Sequence, residues 1–230
     1  MCLIFHTYIY KSKNSFKNQY YQMPFLKEFI INEKTKIKLW KVMIGELSSK
    51  ELNNEEKKLF KLKKSNVLKE QFLATRKILE LENSNYIITY DLDGKPSLNS
   101  EFNISISHSH EIAALVIFNN RKTGLDVQLK ESKILNIQNK FLNKFEKLNI
   151  GGNPSIDILT MIWASKESIY KAIGLKGVSF SENIQIEKFT EKDKIGKGYY
   201  INGIEKVKFD LRFFYLDEYI ICYASQNLES

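Results

Sequence analysis

The chain is predicted to be an α+β protein of two pseudo-symmetric subdomains, each a small antiparallel sheet packed with a long helix. Three observations carry that expectation. Strand-like alternation recurs in short runs, a long helical stretch appears in each half, and the order strand, helix, antiparallel strands occurs twice. With 230 residues and 43% hydrophobic content there is enough material for a core, as one large domain or two small ones.

Lys11 to Gln22 is polar and without periodicity, so residues 1–22 are read as a flexible extension and Met23 as the start of the folded part. Ile37 to Met43 alternates as a strand does. Asn54, followed by Glu55 and Glu56, is a helix start, its acidic residues suited to the positive end of the helix dipole. Leu59, Leu62, Val67, Phe72, Leu73, Ile78 and Leu79 then mark one long helix or two broken ones. Tyr86 to Tyr90 is a strand, Asp91 to Pro96 a turn punctuated by Gly94, and Asn103–Ile106 and Glu111–Phe118 two further strands.

A link near Asn119–Thr123 separates this half, 23–120, from the second, 121–230. There Gly124–Gln128 is a strand, and Ile134, Ile137, Phe141, Leu142, Phe145 and Leu148 form a helical stripe. Gly151 to Pro154 breaks the chain before a long helix carrying Trp163. Strands follow at Asn183–Phe189, Gly198–Ile201, Val207–Tyr215 and Tyr219–Ala224.

Composition narrows the function classes. The net charge is +8, from 35 Lys+Arg against 27 Asp+Glu, which favours acidic partners: phosphorylated cofactors, nucleic acid or an acidic protein. Cys2 and Cys222 with His6, His108 and His110 supply neither a disulfide framework nor a Cys/His zinc site, and fit a reducing cytoplasm. Cys2 to Tyr10 lacks a basic flank and a small-residue cleavage site, so no signal peptide is expected. No run approaches the roughly 18 apolar residues of a membrane span. Glycine-rich phosphate loops, nucleophile elbows and His-Glu-x-x-His motifs are absent, which excludes NTPase, hydrolase and zincin readings.

What remains is a set of charged and polar positions. On the long helix Trp163, Glu167 and Lys171 are four apart, as are Lys166 and Tyr170, so they share one broad face. Alone, Glu167 and Lys171 also read as a surface pair stabilising a helix by about 0.2–0.5 kcal/mol. Asp126 and Gln128, two apart on a strand, face the same way, with Leu125 and Val127 turned to the core. Together with Glu167 they offer three oxygens, two of them charged, a set that suits magnesium, which fills its octahedron with water and substrate phosphates. Lys95 places a cation at a turn tip, Ser107 and His108 crowd a strand end, and Arg76 lies in an apolar helical stretch, where it also reads as a guanidinium with its stem over the core.

In order and spacing these pieces resemble the 4'-phosphopantetheinyl transferases of the surfactin-synthetase-activating type. The likeness is carried by Gly94-Lys95-Pro96, Asn103 to Ser109, Gly124-Leu-Asp-Val-Gln128, Trp163-x-x-Lys-Glu-x-x-x-Lys171 and Gly174 to Ser179, and spans about Met23 to Ala224. It implies transfer of the phosphopantetheine arm of coenzyme A to a serine of an apo acyl or peptidyl carrier protein, with an active site between the two halves. It implies that Asp126, Glu167 and the residue at 128 hold magnesium, with manganese as the second candidate. Lys166 and Lys171 would neutralise the diphosphate. Arg76, Lys95, Pro96, Ser107 and His108 would hold the 3'-phosphate nucleotide end. Glu167, Lys171 and Asp126 would be the catalytic set. The acidic helix of the carrier would dock beside the site, where Lys133, Lys140, Lys144 and Lys147 lie along the helical stripe; a merely solvated face reads equally well.

One position departs. The family strand usually reads Gly-x-Asp-x-Glu, and here the last residue is Gln128, which adds no charge and cannot act as a base. The expectations are weaker metal binding than at a three-carboxylate site, and Glu167 as the base that takes the serine proton. A binding relic without turnover is therefore a second reading. A nucleic-acid-binding module is a third, but basic residues interleaved with aromatics are not seen. A pseudo-dimer within one chain favours a monomer.

Overall fold

The computed structural model describes residues 25–119 and 121–228; the expected extension over 1–22 lies outside the described residues. Within them the protein is mixed α+β with antiparallel sheets, as expected. The elements run β1 (Phe25–Asn32), β2 (Thr35–Lys41), α1 (Asn54–Lys61), α2 (Asn66–Glu82), β3 (Ile88–Tyr90), β4 (Pro96–Leu98), β5 (Asn103–Ser109) and β6 (Ile112–Phe118). They continue with β7 (Thr123–Leu129), α3 (Ile134–Phe141), α4 (Lys144–Ile150), α5 (Ile156–Ile173), β8 (Ile184–Ile186), β9 (Ile195–Asn202), β10 (Glu205–Leu216) and β11 (Tyr219–Gln226). One sheet has the order β1-β2-β6-β5, the other β7-β11-β10-β9-β8, and β3 and β4 form a separate hairpin.

Local chemistry sets the element ends. Asn53 caps α1 through a reciprocal capping box with Glu56, and Ser65 caps α2, so the stretch from Leu59 to Leu79 resolves into two helices. The stripe from Ile134 to Leu148 also divides: Asn143 forms a second capping box with Glu146, which rotates Phe145 and Leu148 into solvent. α5 starts on the Ser155 hydroxyl and stops at Gly174, whose φ of +66° is left-handed and suited to glycine.

Three apolar layers result. Trp40, Ala113 and Leu115 pack with Ile78 and Leu79 of α2, while Phe209, Leu211 and Phe213 pack with Leu159, Ile162 and Ile169 of α5. A third layer joins Ile37, Leu39, Ile112, Ala114 and Val116 of the first sheet to Leu125, Val127, Ile221 and Tyr223 of the second. β6 is thus covered on both faces, which explains why Ile112–Phe118 is a continuous apolar run rather than an alternation. β1 is an edge strand that no expectation covered; its register shifts twice against β2, and Leu26 and Ile30 are exposed, so its pattern does not alternate cleanly. Among the described residues no helix is long and apolar enough to cross a membrane.

β5 and β7, each at the edge of its own sheet, meet through side chains. The hydroxyls of Ser105, Ser107 and Ser109 accept the backbone N–H groups of Leu125, Val127 and Leu129 at 3.0, 3.1 and 3.1 Å. Alternate residues on β5 face one way, so a serine at every second position presents a row of acceptors where a carbonyl ladder would otherwise stand. The edge of β7 is satisfied and its register is fixed.

Candidate active site

The serine row sets where Asp126 stands. Leu125 and Val127 point into the layer between the sheets, as their spacing requires, and Asp126 points the other way, towards α5. Gly124 lets α5 come close: a Cβ at this position would overlap the Ser168 carbonyl oxygen and crowd the Ala172 nitrogen. Lys171 therefore reaches across from α5, its Nζ 2.7 Å from Asp126 Oδ1 and 3.0 Å from the Leu125 carbonyl oxygen.

Asp126 is 2% exposed and takes three donors. Oδ1 accepts from Lys171 and from Ser107 Oγ (2.8 Å), and Oδ2 accepts from Gln128 Nε2 (2.8 Å). Glu167, one helical turn before Lys171, is half-buried, and its carboxyl group accepts no hydrogen bond from the described residues. Its carboxyl is pushed up to about 7, first by burial and then by the charge of Asp126, with Lys171 opposing. A carboxyl poised near neutrality beside a fixed carboxylate and an ammonium can exchange a proton at physiological pH.

Lys166, Ser107 and Arg76, all expected to touch phosphate, are placed elsewhere. Lys166 is fully buried, its Nζ held by Glu146 (2.8 Å) and by the carbonyl oxygens of Phe180 (2.7 Å) and Ile184 (2.6 Å). It ties α4 to α5 and has no access to the cleft. Ser107 is buried too, its hydroxyl shared between Val127 N and Asp126. Its role is to orient Asp126 rather than to meet a nucleotide. Gln128 differs as well: it turns its nitrogen, not its oxygen, towards Asp126. Arg76 stays half-buried, pairing with Glu56 (3.3 Å), reaching the Tyr90 hydroxyl (3.1 Å) and lying 3.5 Å over the Phe72 ring. It does not line the cleft. Trp163 and Tyr170 pack on Phe180, Trp163 also on Phe141, and so fix the helix, although Tyr170 reaches the cleft wall.

The cleft itself has a volume of about 520 Å³ and is bounded by the β3–β4 turn, the start of β5, the β6–β7 link and the end of α5. Lys95, Arg121, Lys122, Lys171 and Lys176 line it. Lys176 pairs with Asp93, whereas Lys95, Arg121 and Lys122 have no carboxylate partner among the described residues. Lys95 lies against Gly174, where a side chain would displace it, and Pro96 opens the wall beside it. Sequence reasoning passed over Arg121 and Lys122; the signal was the basic pair directly before Thr123-Gly124. His108, on β5, is exposed and does not line the cleft, contrary to its expected place at the nucleotide end. Desolvation by the neighbouring protein, then the charges of Lys171, Lys63 and Arg76, shift its imidazole below the ordinary histidine range.

No protein-family model matches the chain, and no curated protein matches it in sequence.

A divalent cation fits the donors that are present in one way. Asp126 and Glu167 supply two carboxylates close enough for one to raise the pKa of the other, and Glu167 is unengaged. No cluster of three or more acidic, histidine or cysteine ligands exists among the described residues, so solvent and a phosphate would have to complete the shell.

Proposed function

We propose that the chain transfers the 4'-phosphopantetheine arm of coenzyme A to a serine of an apo acyl or peptidyl carrier protein, releasing 3',5'-ADP. The observation that carries this reading is the Asp126–Lys171 pair with the unengaged Glu167 beside it, next to a cleft lined by cations. Acidic phosphate esters suit such a cleft, and a reaction at phosphorus needs positioning and charge neutralisation more than covalent chemistry.

In this reading the two sheet-and-helix units are two halves of one enzyme, and the cleft between β5, β7 and α5 takes coenzyme A. Lys95, Arg121 and Lys122 hold phosphate groups, and Lys171 faces the diphosphate. The carrier serine oxygen bonds to the phosphorus that bears the pantetheine arm, the bond from that phosphorus to the ADP oxygen breaks, and the serine proton passes to Glu167. Asp126 holds Lys171 in place for that step, with Ser107 holding Asp126. Magnesium, held by Asp126 and Glu167, would supply charge stabilisation at the diphosphate oxygens.

A second reading is favoured by one observation: Gln128 donates to Asp126 where a carboxylate would draw a metal. The chain would then bind coenzyme A or the carrier without turnover. Incubation with coenzyme A, magnesium and an apo carrier, with 3',5'-ADP quantified, separates the two. Nucleotide release dependent on the carrier supports transfer, and binding of coenzyme A without release supports the relic.

A further inference from the structure

Gln128 and Asp126 share one face of β7, and the amide nitrogen lies 2.8 Å from Asp126 Oδ2. An ionised carboxylate only accepts, so the amide must present its N–H₂ to Asp126, which turns Gln128 Oε1 away from it. The other carboxylate oxygen already takes Ser107 and Lys171. Asp126 is therefore held by a hydroxyl, an ammonium and an amide, all from this chain. A glutamate at position 128 would instead set two carboxylates side by side, an arrangement that needs a cation between them.

We propose that Gln128 is a positioning residue that latches Asp126 in the metal-free protein, and that a divalent cation binds in competition with this latch rather than with Gln128 as a ligand. The inference rests on the reading that the Asp126–Glu167 pair is where the cation sits. It makes Gln128 the residue that sets the cation affinity of the site. Asp126 is then ordered before any cation arrives.

The test uses the full chain and Mn²⁺ alone, with free and bound ion followed by electron paramagnetic resonance and folding checked by circular dichroism. Wild type is compared with Gln128→Ala, which removes the latch and any amide ligand together, and with Gln128→Glu, which restores a third carboxylate. A competing latch predicts that Gln128→Ala binds Mn²⁺ tighter than wild type by about threefold to tenfold, the worth of one hydrogen bond. Gln128→Glu should bind tighter still and should melt at a lower temperature than wild type in EDTA. Weaker or unchanged binding in Gln128→Ala overturns the latch, as does failure of both variants to bind Mn²⁺. If Gln128→Glu fails to fold, the Gln128→Ala comparison decides alone. No transfer to the carrier by wild type, together with tighter Mn²⁺ binding in Gln128→Ala, would sink the enzyme reading and leave the latch standing.

Discussion

Lys171 Nζ stands 2.7 Å from Asp126 Oδ1, and the same nitrogen donates to the Leu125 carbonyl oxygen at 3.0 Å. One ammonium thus ties the last turn of α5 to both the side chain and the backbone of β7. Lys171 is 26% exposed at its side chain and Asp126 only 3%, so the pair joins the open cleft to the packed interior. The acidic member is immobilised, and the basic member remains reachable by a ligand.

Closeness of α5 to β7 depends on Gly124. Gly124→Ala forces the Cβ onto the Ser168 carbonyl and should push the helix off the strand. Overpacking of this kind costs about 1–3 kcal/mol. Chemical denaturation should show that loss, and the affinity for coenzyme A should fall in the folded fraction because Lys171 moves with α5.

Ser107 makes a sharper case, because its hydroxyl is both donor and acceptor at a buried site. Ser107→Ala leaves the Val127 N–H without a partner and should lower stability by about 1–3 kcal/mol in urea titrations. Ser109→Ala, at the half-buried end of the same row, should lose less. Equal losses at the two positions would contradict the assigned role.

The titration of Glu167 has a definite sign. Its folded pKa, about 7, lies above the ordinary value of 4.5, so the native state keeps a proton that the unfolded state has lost. The stability it contributes is fully present below about 4.5 and drains away as pH rises to about 7. In EDTA, Glu167→Gln should therefore gain melting temperature relative to wild type between pH 5 and pH 8 (roughly the window in which the carboxyl ionises). Parallel curves would show that Glu167 is not held protonated.

Lys166→Met tests the buried pair. Removing the ammonium leaves Glu146, 2% exposed, without its counter-charge and held only by the backbone N–H groups of Asn143 and Ile186, and should cost about 3–5 kcal/mol. The double change with Glu146→Gln should recover part of that loss. Transfer per folded molecule should not change, because Lys166 does not reach the cleft.

Much of this arrangement was legible from spacing alone. Period two sent Leu125 and Val127 inward and Asp126 outward, and the four-residue step set Glu167 and Lys171 on one face of α5. Lys166 was misread for a physical reason: the helical pattern says only which face a residue shares, and Glu146, Phe180 and Ile184 arrive from distant parts of the chain to claim it. Ser107 failed in the same way, since a hydroxyl donates and accepts alike, and the edge of β7 that needed it could not be seen. The two capping boxes at Asn53 and Asn143 were readable as Asn-x-x-Glu. The second would have divided the Ile134–Leu148 stripe at the observed place, whereas the first marks only the start of α1 and the break before α2 rests on Ser65.

The central claim is group transfer at the Asp126–Lys171–Glu167 site, and the mass of the carrier protein tests it most directly. The full chain, coenzyme A, magnesium and an apo carrier are incubated together, in parallel with Asp126→Asn and Glu167→Gln. The account predicts that wild type adds one phosphopantetheinyl group to the carrier and that both variants lose most of that rate while remaining folded. An unchanged carrier mass with wild type under magnesium and under manganese would contradict it.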